Sequence, residues 1–504
     1  MGAQQSKPID EPSYNEKADW VSLPQDAVVT SLANMKLDDS KPMSSDGSLT
    51  TPELKKWESE ASKDPRTHLA RAVLDHTDIS AALVSRTAKL ADNQIFNTRL
   101  EYEATPITNQ KSSGRCWLFA STNVIRYDIA QKLKVKDFQL SQSYLFFYDK
   151  LEKSNFFLEL SILHADLPID DRLIRHLSSD PIGDGGQLDM AVNLLERYGV
   201  VPQPIFPESY SSSYSRGMDK LLTTKLREYS LSLRDLVNAM RADGSIQEDS
   251  IIRAARKKKE DFMSEVYRIL SITLGVPPKA TENFTYEYYD LDKKARSWTG
   301  TPVEFYKRFR GEKYTLEESF SLVNDPRPEN PYGTLYTVDK LGNVWGGRDV
   351  TYVNTTSQKL KEAVITSIKA GHPVFFGCDV GQSSHSGFGI MDTALYEYES
   401  AFGIKLGLTK AQRLQTGESA MTHAMVITAV HLDDDGKPVR YRVENSWGNT
   451  AGEEGWFMAT DAWFDEFVYQ VVIPRKLAAP EHLKVLDGGH PRVYPPWDPM
   501  GTLA

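Results

Sequence analysis

Two cysteines in 504 residues set the first limit on this chain. Cys116 and Cys378 cannot build a disulfide framework, so the fold has to be held by buried apolar surface, and a reducing, cytoplasmic setting is expected. An apolar content of 40% supplies enough of that surface to exclude a wholly disordered protein. No apolar run approaches the 18 or so residues of a membrane helix. The stretch Ala424–Val430 is strand-sized. The balance of 59 basic and 69 acidic residues leaves a net charge of −10, which argues against a general nucleic-acid binder. The first arginine is Arg66 and acids begin at Asp10, the wrong composition for a mitochondrial transit peptide.

The pattern along the chain is α+β. Residues 1–64 read as a polar N-terminal arm, largely mobile. Its start, Met-Gly-Ala-Gln-Gln-Ser, fits the N-myristoylation pattern with Gly2 as acceptor; one acyl chain anchors only weakly, and the alternative is a plain polar tail. Residues 65–205 read as a helical lobe. In it, Leu118, Ile125, Ile129 and Leu133 mark a helix over Cys116–Leu133, and Leu188–Tyr198 is a second, stopped by Gly199. Residues 206–330 read as a helical insertion, with a break at Asp243-Gly244. Residues 331–475 turn strand-rich. Thr334–Trp345 reads as a hairpin turning at Leu341-Gly342, and His372–Val380 as a buried strand. His423–Leu432 and Val439–Val443 flank a turn at 433–438, and Trp456–Met458 and Phe467–Ile473 complete the strands. Residues 476–504, rich in Pro and Gly, read as an extended tail.

The chemistry concentrates in three fragments. In Asn109-Gln110-Lys111-Ser112-Ser113-Gly114-Arg115-Cys116-Trp117 a thiol sits where a loop becomes a helix, and a helix N-terminus favours a thiolate. Gln110 is placed to donate to an oxyanion beside the Cys116 N–H. In Met421-Thr422-His423-Ala424 an imidazole stands at the mouth of a strand. Glu444-Asn445-Ser446-Trp447-Gly448 ends the next strand, so hairpin pairing brings Asn445 beside His423, to fix its tautomer, with Trp447 shielding that bond from water. The competing readings are a buried structural thiol, a satisfied histidine and a turn asparagine. Cys378, in Phe375-Phe376-Gly377-Cys378, reads as core. No metal-binding spacing or phosphate loop occurs, so neither metal nor cofactor is expected. The run Arg253-Ala254-Ala255-Arg256-Lys257-Lys258-Lys259 reads as a solvated helix face.

Taken in order, these fragments resemble the papain-like cysteine peptidases, whose nucleophile signature is Cys-Gly-[Ser/Ala]-Cys-[Trp/Tyr]. Here the stretch is Ser113-Gly114-Arg115-Cys116-Trp117. Ser113 replaces the first cysteine, a disulfide partner in secreted relatives. The resemblance implies a two-lobed fold, a helical lobe and a β-barrel-like lobe, with Cys116, His423, Asn445 and Gln110 as the catalytic set. It also makes Gly185-Gly186 the glycine pair that meets extended substrate. His423 follows Cys116 by 307 residues, against about 130–150 in papain, so roughly 160–180 residues are inserted between the halves of the site. That insertion points to the cytosolic aminopeptidase branch. The branch implies a homohexamer acting on short peptides with free N-termini, and a C-terminal tail lying in the cleft with the Ala504 carboxylate toward the substrate amine. Two rival readings remain: a nucleic-acid-binding hexameric ring with secondary peptidase activity, and a transglutaminase-type transferase, which would normally carry Asp in place of Asn445.

Overall fold

The computed structural model describes residues 47–103 and 105–503. They fall into two compact units. One holds residues 47–83 with Glu397–Gly407, and the other holds Val84–Tyr396 with the chain from Leu408 onward. In the first unit, Thr51–Ala61 is a helix inside the segment read as a mobile arm. Its start explains the correction. Glu53 N–H donates to Thr50 Oγ1 at 3.4 Å and Thr50 N–H donates to the Glu53 carboxylate at 3.1 Å, which satisfies two orphan donors despite the polar composition. The N-terminal expectations, Gly2 included, lie outside the described residues.

The second unit is built on helices α1 (Cys116–Leu133), α2 (Gln142–Leu163), α3 (Leu188–Tyr198), α4 (Arg216–Asp243) and α5 (Glu248–Leu274). Helix α1 is buried on nearly every face, as an interior helix must be, and stops at Lys134, whose φ of 55° ends the helical run. Helix α2 carries no clean apolar stripe, because Asp149, Lys150, Glu152 and Lys153 interrupt it. All four are buried and satisfied by ion pairs instead. Lys150 Nζ lies 2.6 Å from Asp184 and 2.8 Å from Asp219. Helices α4 and α5 meet at Gly244, at φ 68°, and pack Leu222, Leu226, Leu233 and Val237 into one core with Ile251, Ala255, Val266 and Leu270. In the basic run of α5, Arg256 and Lys259 are both held by Glu159 of α2, at 2.8 and 2.5 Å, while Arg253, Lys257 and Lys258 are exposed.

The segment 206–330 is not helical throughout. Strands β1 (Phe284–Tyr289) and β2 (Ala295–Gly300) form a separate hairpin, and the wholly buried β3 (Ser319–Val323) already belongs to the main sheet. That sheet also contains β4 (Thr334–Val338), β5 (Thr351–Asn354), β6 (Val374–Cys378), β7 (His423–Leu432), β8 (Pro438–Glu444), β9 (Trp456–Thr460), β10 (Val468–Pro474) and β11 (Arg492–Tyr494). Its order is β11-β4-β5-β3-β10-β6-β7-β8-β9, continued by Ile390–Met391 and Ser384–His385, with Thr98–Arg99 paired to β7. The path is open and mixed: among the described residues no pairing closes it, so the expected barrel-like lobe is a sheet with two ends. The hairpin expected over Thr334–Trp345 is also corrected. β4 pairs with β5, Leu335 opposite Val353, and the intervening loop is drawn inward by Asn343. Its amide donates to Asp149 at 3.0 Å and to the Met190 carbonyl at 3.1 Å.

The C-terminal segment is more ordered than an extended tail. Pro480–Asp487 is a helix, Arg492–Tyr494 adds to β4 in parallel, and Pro499–Gly501 forms a 3-10 turn. Pro480 sits in the first turn of its helix, where its missing N–H costs nothing.

Replacing Lys150 by Met leaves the half-buried Asp184 and Asp219 with no cation between them. Loss of one partner from a buried ion pair costs about 3–5 kcal/mol. A clear drop in the thermal unfolding midpoint of Lys150→Met is expected, and an unchanged midpoint would show that the triad carries no net stability.

Candidate functional site

Cys116 opens α1 and is 2% exposed, so its sulfur lies at the positive end of a buried helix. The loop before it is held by the loop at 183–186. Gly114 N–H donates to Asp184 Oδ2 at 2.8 Å, and Trp117 Nε1–H donates to the Asp184 carbonyl at 2.7 Å. A Cβ on Gly114 would stand 2.8 Å from the Asp184 Cβ, and one on Gly186 would stand 2.4 Å from the Trp117 ring. Glycine is therefore required at both places by close approach. Burial works against the Asp184 charge, but Lys150, Ser215 and the Gly114 N–H hold its carboxyl well below the usual carboxylate range. Burial pushes Asp219 the other way, to about 6.

His423 opens β7 and Asn445 follows β8, and the antiparallel pairing of these strands brings the two side chains together. His423 Nε2 lies 2.9 Å from Asn445 Oδ1, which also accepts from the Ser446 N–H at 2.7 Å. The backbone donor identifies that Asn445 atom as the oxygen. Nε2 of His423 therefore carries the proton, and in the neutral ring Nδ1 is the bare nitrogen. Trp447 covers the pair, its ring centroid 5.0 Å from that of the imidazole. Cys378 lies opposite His423 on β6, fully buried, with burial pushing its thiol well above the ordinary value, as a core residue should be.

Gln110 joins the halves. Its Oε1 accepts from Ser446 Oγ at 2.6 Å, and its Nε2 donates one hydrogen to the Ser113 carbonyl at 2.6 Å, leaving the second hydrogen for another acceptor. The backbones are stitched alongside: Gln110 N–H donates to the Ser446 carbonyl at 2.8 Å and Gly448 N–H to the Thr108 carbonyl at 2.9 Å. Deeper in, Arg126 of α1 forms an ion pair with Glu444 of β8, both side chains fully buried, and Tyr127 Oη donates to the same carboxylate at 3.0 Å.

A cavity of about 860 Å³ contains Gln110, Cys116, Gly185 and His423 in its lining, together with Leu503 of the C-terminal segment. Asn445, Trp447 and Gly186 are not among the lining residues. Ala504 lies outside the described residues. Leu503 is brought there by a chain of contacts. Tyr494 stacks on Tyr336 at 4.5 Å, and Asp498 receives Arg327 at 2.8 and 3.1 Å. Asp498 also caps the turn through the Met500 N–H at 2.9 Å, and Gln187 Nε2 donates to the Thr502 carbonyl at 2.8 Å.

Burial pushes the Cys116 thiol up to about 11, opposed by hydrogen bonds from the backbone of Ala424, Trp117 and Cys116 itself. It pushes the His423 imidazole down to about 4, opposed by the bond to Asn445. Either charge alone is therefore disfavoured here. A thiolate at Cys116 would need a cation beside it as well as the helix N-terminus, and the very low thiol pKa of about 3–4 found in papain is a property of a thiolate–imidazolium pair, not of the thiol by itself.

Several supporting residues were not anticipated: Asp184, Ser446, Leu503 and the Arg126–Glu444 pair. Glu444 lies inside a fragment that the sequence already marked and Asp184 directly precedes the Gly185-Gly186 pair, and their partners lie 318 and 34 residues away. No cluster of His, Cys, Asp or Glu suited to a metal ion occurs among the described residues. No helix among them is long and apolar enough to cross a membrane.

The profile of the Peptidase C1-like family matches residues 48–501. Bleomycin hydrolase of Homo sapiens is 43% identical over 447 residues, covering 88% of this chain and 95% of its own. The protein named cysteine proteinase 1, mitochondrial, of Saccharomyces cerevisiae is 42% identical over 467 residues, covering 91% and 93%. The crystal structure of PepW from Lactobacillus rhamnosis superposes with a TM-score of 0.85 at 43% identity, covering 91% of this chain and all of that one.

The opposing shifts give a signed test. In a Cys378→Ala background, iodoacetamide should alkylate Cys116 readily at pH 6. In His423→Ala the stabilising cation is gone, burial is opposed only by the backbone hydrogen bonds, and the alkylation profile should move up toward pH 11. Superimposable profiles would mean that the imidazole does not hold the thiolate.

Proposed function

The chain belongs to the Peptidase C1-like family and is a cysteine peptidase, and we propose that it works as an aminopeptidase on short peptides and related amides, through a thioester acyl-enzyme. The observation that carries this reading is the anchored C-terminal segment, which brings Leu503 into the lining of the cavity that holds Cys116 and His423. An open cleft lets a peptide chain run through in both directions. A segment fixed in it shortens one arm, and only a short N-terminal stub fits between that segment and the thiol.

Chemically, the Cys116 sulfur adds to the carbonyl carbon of the substrate amide, and the oxygen takes the charge. The free hydrogen of Gln110 Nε2 and the Cys116 N–H are the donors available to that oxyanion. The C–N bond then breaks as His423 gives its proton to the leaving amine, which leaves a thioester on Cys116. Water attacks the thioester, gives its proton to Nδ1 of His423, and the C–S bond breaks to release the acid. Asn445 takes no part in bond making; it keeps the ring in plane and in the right tautomer. The human relative's name, bleomycin hydrolase, extends the substrate class to amides outside peptides. A homohexamer with its sites facing inward belongs to the same proposal.

Four variants test it on two fluorogenic substrates, one with a free amine and one acetylated. Cys116→Ala should lose turnover of both, while Cys378→Ala keeps it. Deleting Met500–Ala504 should admit the acetylated substrate while the thiol stays active. Arg327→Ala, which frees Asp498, should move selectivity the same way by a smaller factor. Selectivity that survives the deletion would overturn the role of the tail.

A further inference from the structure

The cavity around Cys116 has one wall that the hydrolysis above leaves unused. The first turns of α4 contribute Arg216, Lys220, Thr224 and Arg227, spaced three and four residues apart and therefore on one face of the helix. The opposite face of the same turns is fixed in the core by Met218, Leu222 and Leu226. Lys111, whose backbone is left-handed at φ 54°, lines the same cavity. All four basic side chains are exposed. Among the described residues none of them forms an ion pair with a carboxylate; Arg227 donates only to the carbonyls of Ser178 and Ser179, at 2.9 and 3.0 Å.

Three carboxylates share the lining: Asp180, Asp184 and Asp219. Asp184 and Asp219 are taken up by the buried Lys150, and Asp184 also accepts from Gly114 N–H at 2.8 Å and Ser215 Oγ at 2.5 Å. Asp180, and the one carboxylate charge of the triad that Lys150 cannot balance, are left to offset four cations. The wall is therefore positive in a chain whose net charge is −10. Such a local reversal of sign concentrates anions at the cavity and gains most from a ligand that brings its own negative charge.

We propose that Arg216 and Lys220, supported by Arg227 and Lys111, form a subsite for a carboxylate of the substrate, so that this peptidase prefers short peptides with Asp or Glu in their first two residues. This inference rests on the cysteine aminopeptidase reading and adds the substrate class to it. The carboxylate is bound, not transformed, so the preference belongs in KM rather than kcat.

The experiment compares kcat and KM for paired aminocoumarin substrates, Glu against Gln at the first position and then at the second, in wild type and in Arg216→Glu/Lys220→Glu. The readout is the Glu/Gln ratio within each protein, so any general loss cancels. Two exposed pairs make the expected wild-type preference about three- to tenfold. It should lie in KM and shrink at 0.5 M salt. In the double variant the ratio should fall below one and a Lys substrate should gain. Should the double variant unfold, as a melting curve would reveal, Arg216→Gln with Lys220→Gln must still bring the ratio to about one. A wild-type ratio near one, or the same ratio in wild type and variant, overturns the subsite. Loss of oligonucleotide binding in the variant with peptide selectivity intact would assign the wall to nucleic acid and overturn it as well. Absence of Cys116-dependent turnover on any free-amine substrate is a different result: it removes the aminopeptidase reading itself.

Discussion

The pairing of Arg126 with Glu444 fastens the two halves of the site to each other. Arg126 lies on the helix that begins with Cys116, and Glu444 is the residue before Asn445. Both side chains are wholly out of water. Taking two charges into the interior costs several kcal/mol per ion, offset only where the geometry is good and the remaining polar atoms are satisfied. Tyr127 supplies one such partner from the same helix, and the Pro106 carbonyl another, accepting from Arg126 at 2.8 Å. What the arrangement gains is register. A slip of β8 by one residue would turn Glu444 away from α1 and Asn445 away from His423 together.

The same economy recurs nearer the surface. Asp184 caps the loop before Cys116, receives the buried Lys150 and, through its carbonyl, holds the Trp117 indole. Lys150 reaches on to Asp219 at the start of α4. The insertion is thus tied to the loop before Cys116 by an ionic triad centred on the buried Lys150, and the cations of α4 come to the cavity as a consequence. The C-terminal segment is fixed by a comparable cluster, in which Arg327 bridges Asp325 and Asp498 while Tyr494 donates to Asp325 at 3.0 Å. Asp325 and Arg327 lie just after β3, so the sheet itself positions the segment that ends at Leu503.

Much of this was legible in the residues. Helices Cys116–Leu133 and Leu188–Tyr198, the break at Gly244 and the strands around His423 and Asn445 follow from local periodicity and turn chemistry, which are properties of adjacent residues. Helix α2 was not legible, because its buried charges break the apolar stripe and are explained only by partners elsewhere. Nor was the true partner of β4, since hydrogen-bonding strands look alike until the sheet selects among them. The helix Pro480–Asp487 was hidden by the Pro and Gly residues on either side of it.

By itself, the sequence determined the candidate site groups: a thiol at a helix start, an imidazole at a strand start and an asparagine after the next strand, each set by its immediate neighbours. Only the tertiary structure decided how those groups meet, because Cys116 and His423 are separated by 307 residues and no local preference acts over that distance. The fold closes the gap with the Gln110–Ser446 stitch and the Arg126–Glu444 pair. It also decided that Leu503 and the cations of α4 share the cavity with the thiol. Those placements rest on ion pairs between distant segments, and such pairs offset their desolvation only when the whole fold supplies good geometry and satisfies the remaining polar atoms.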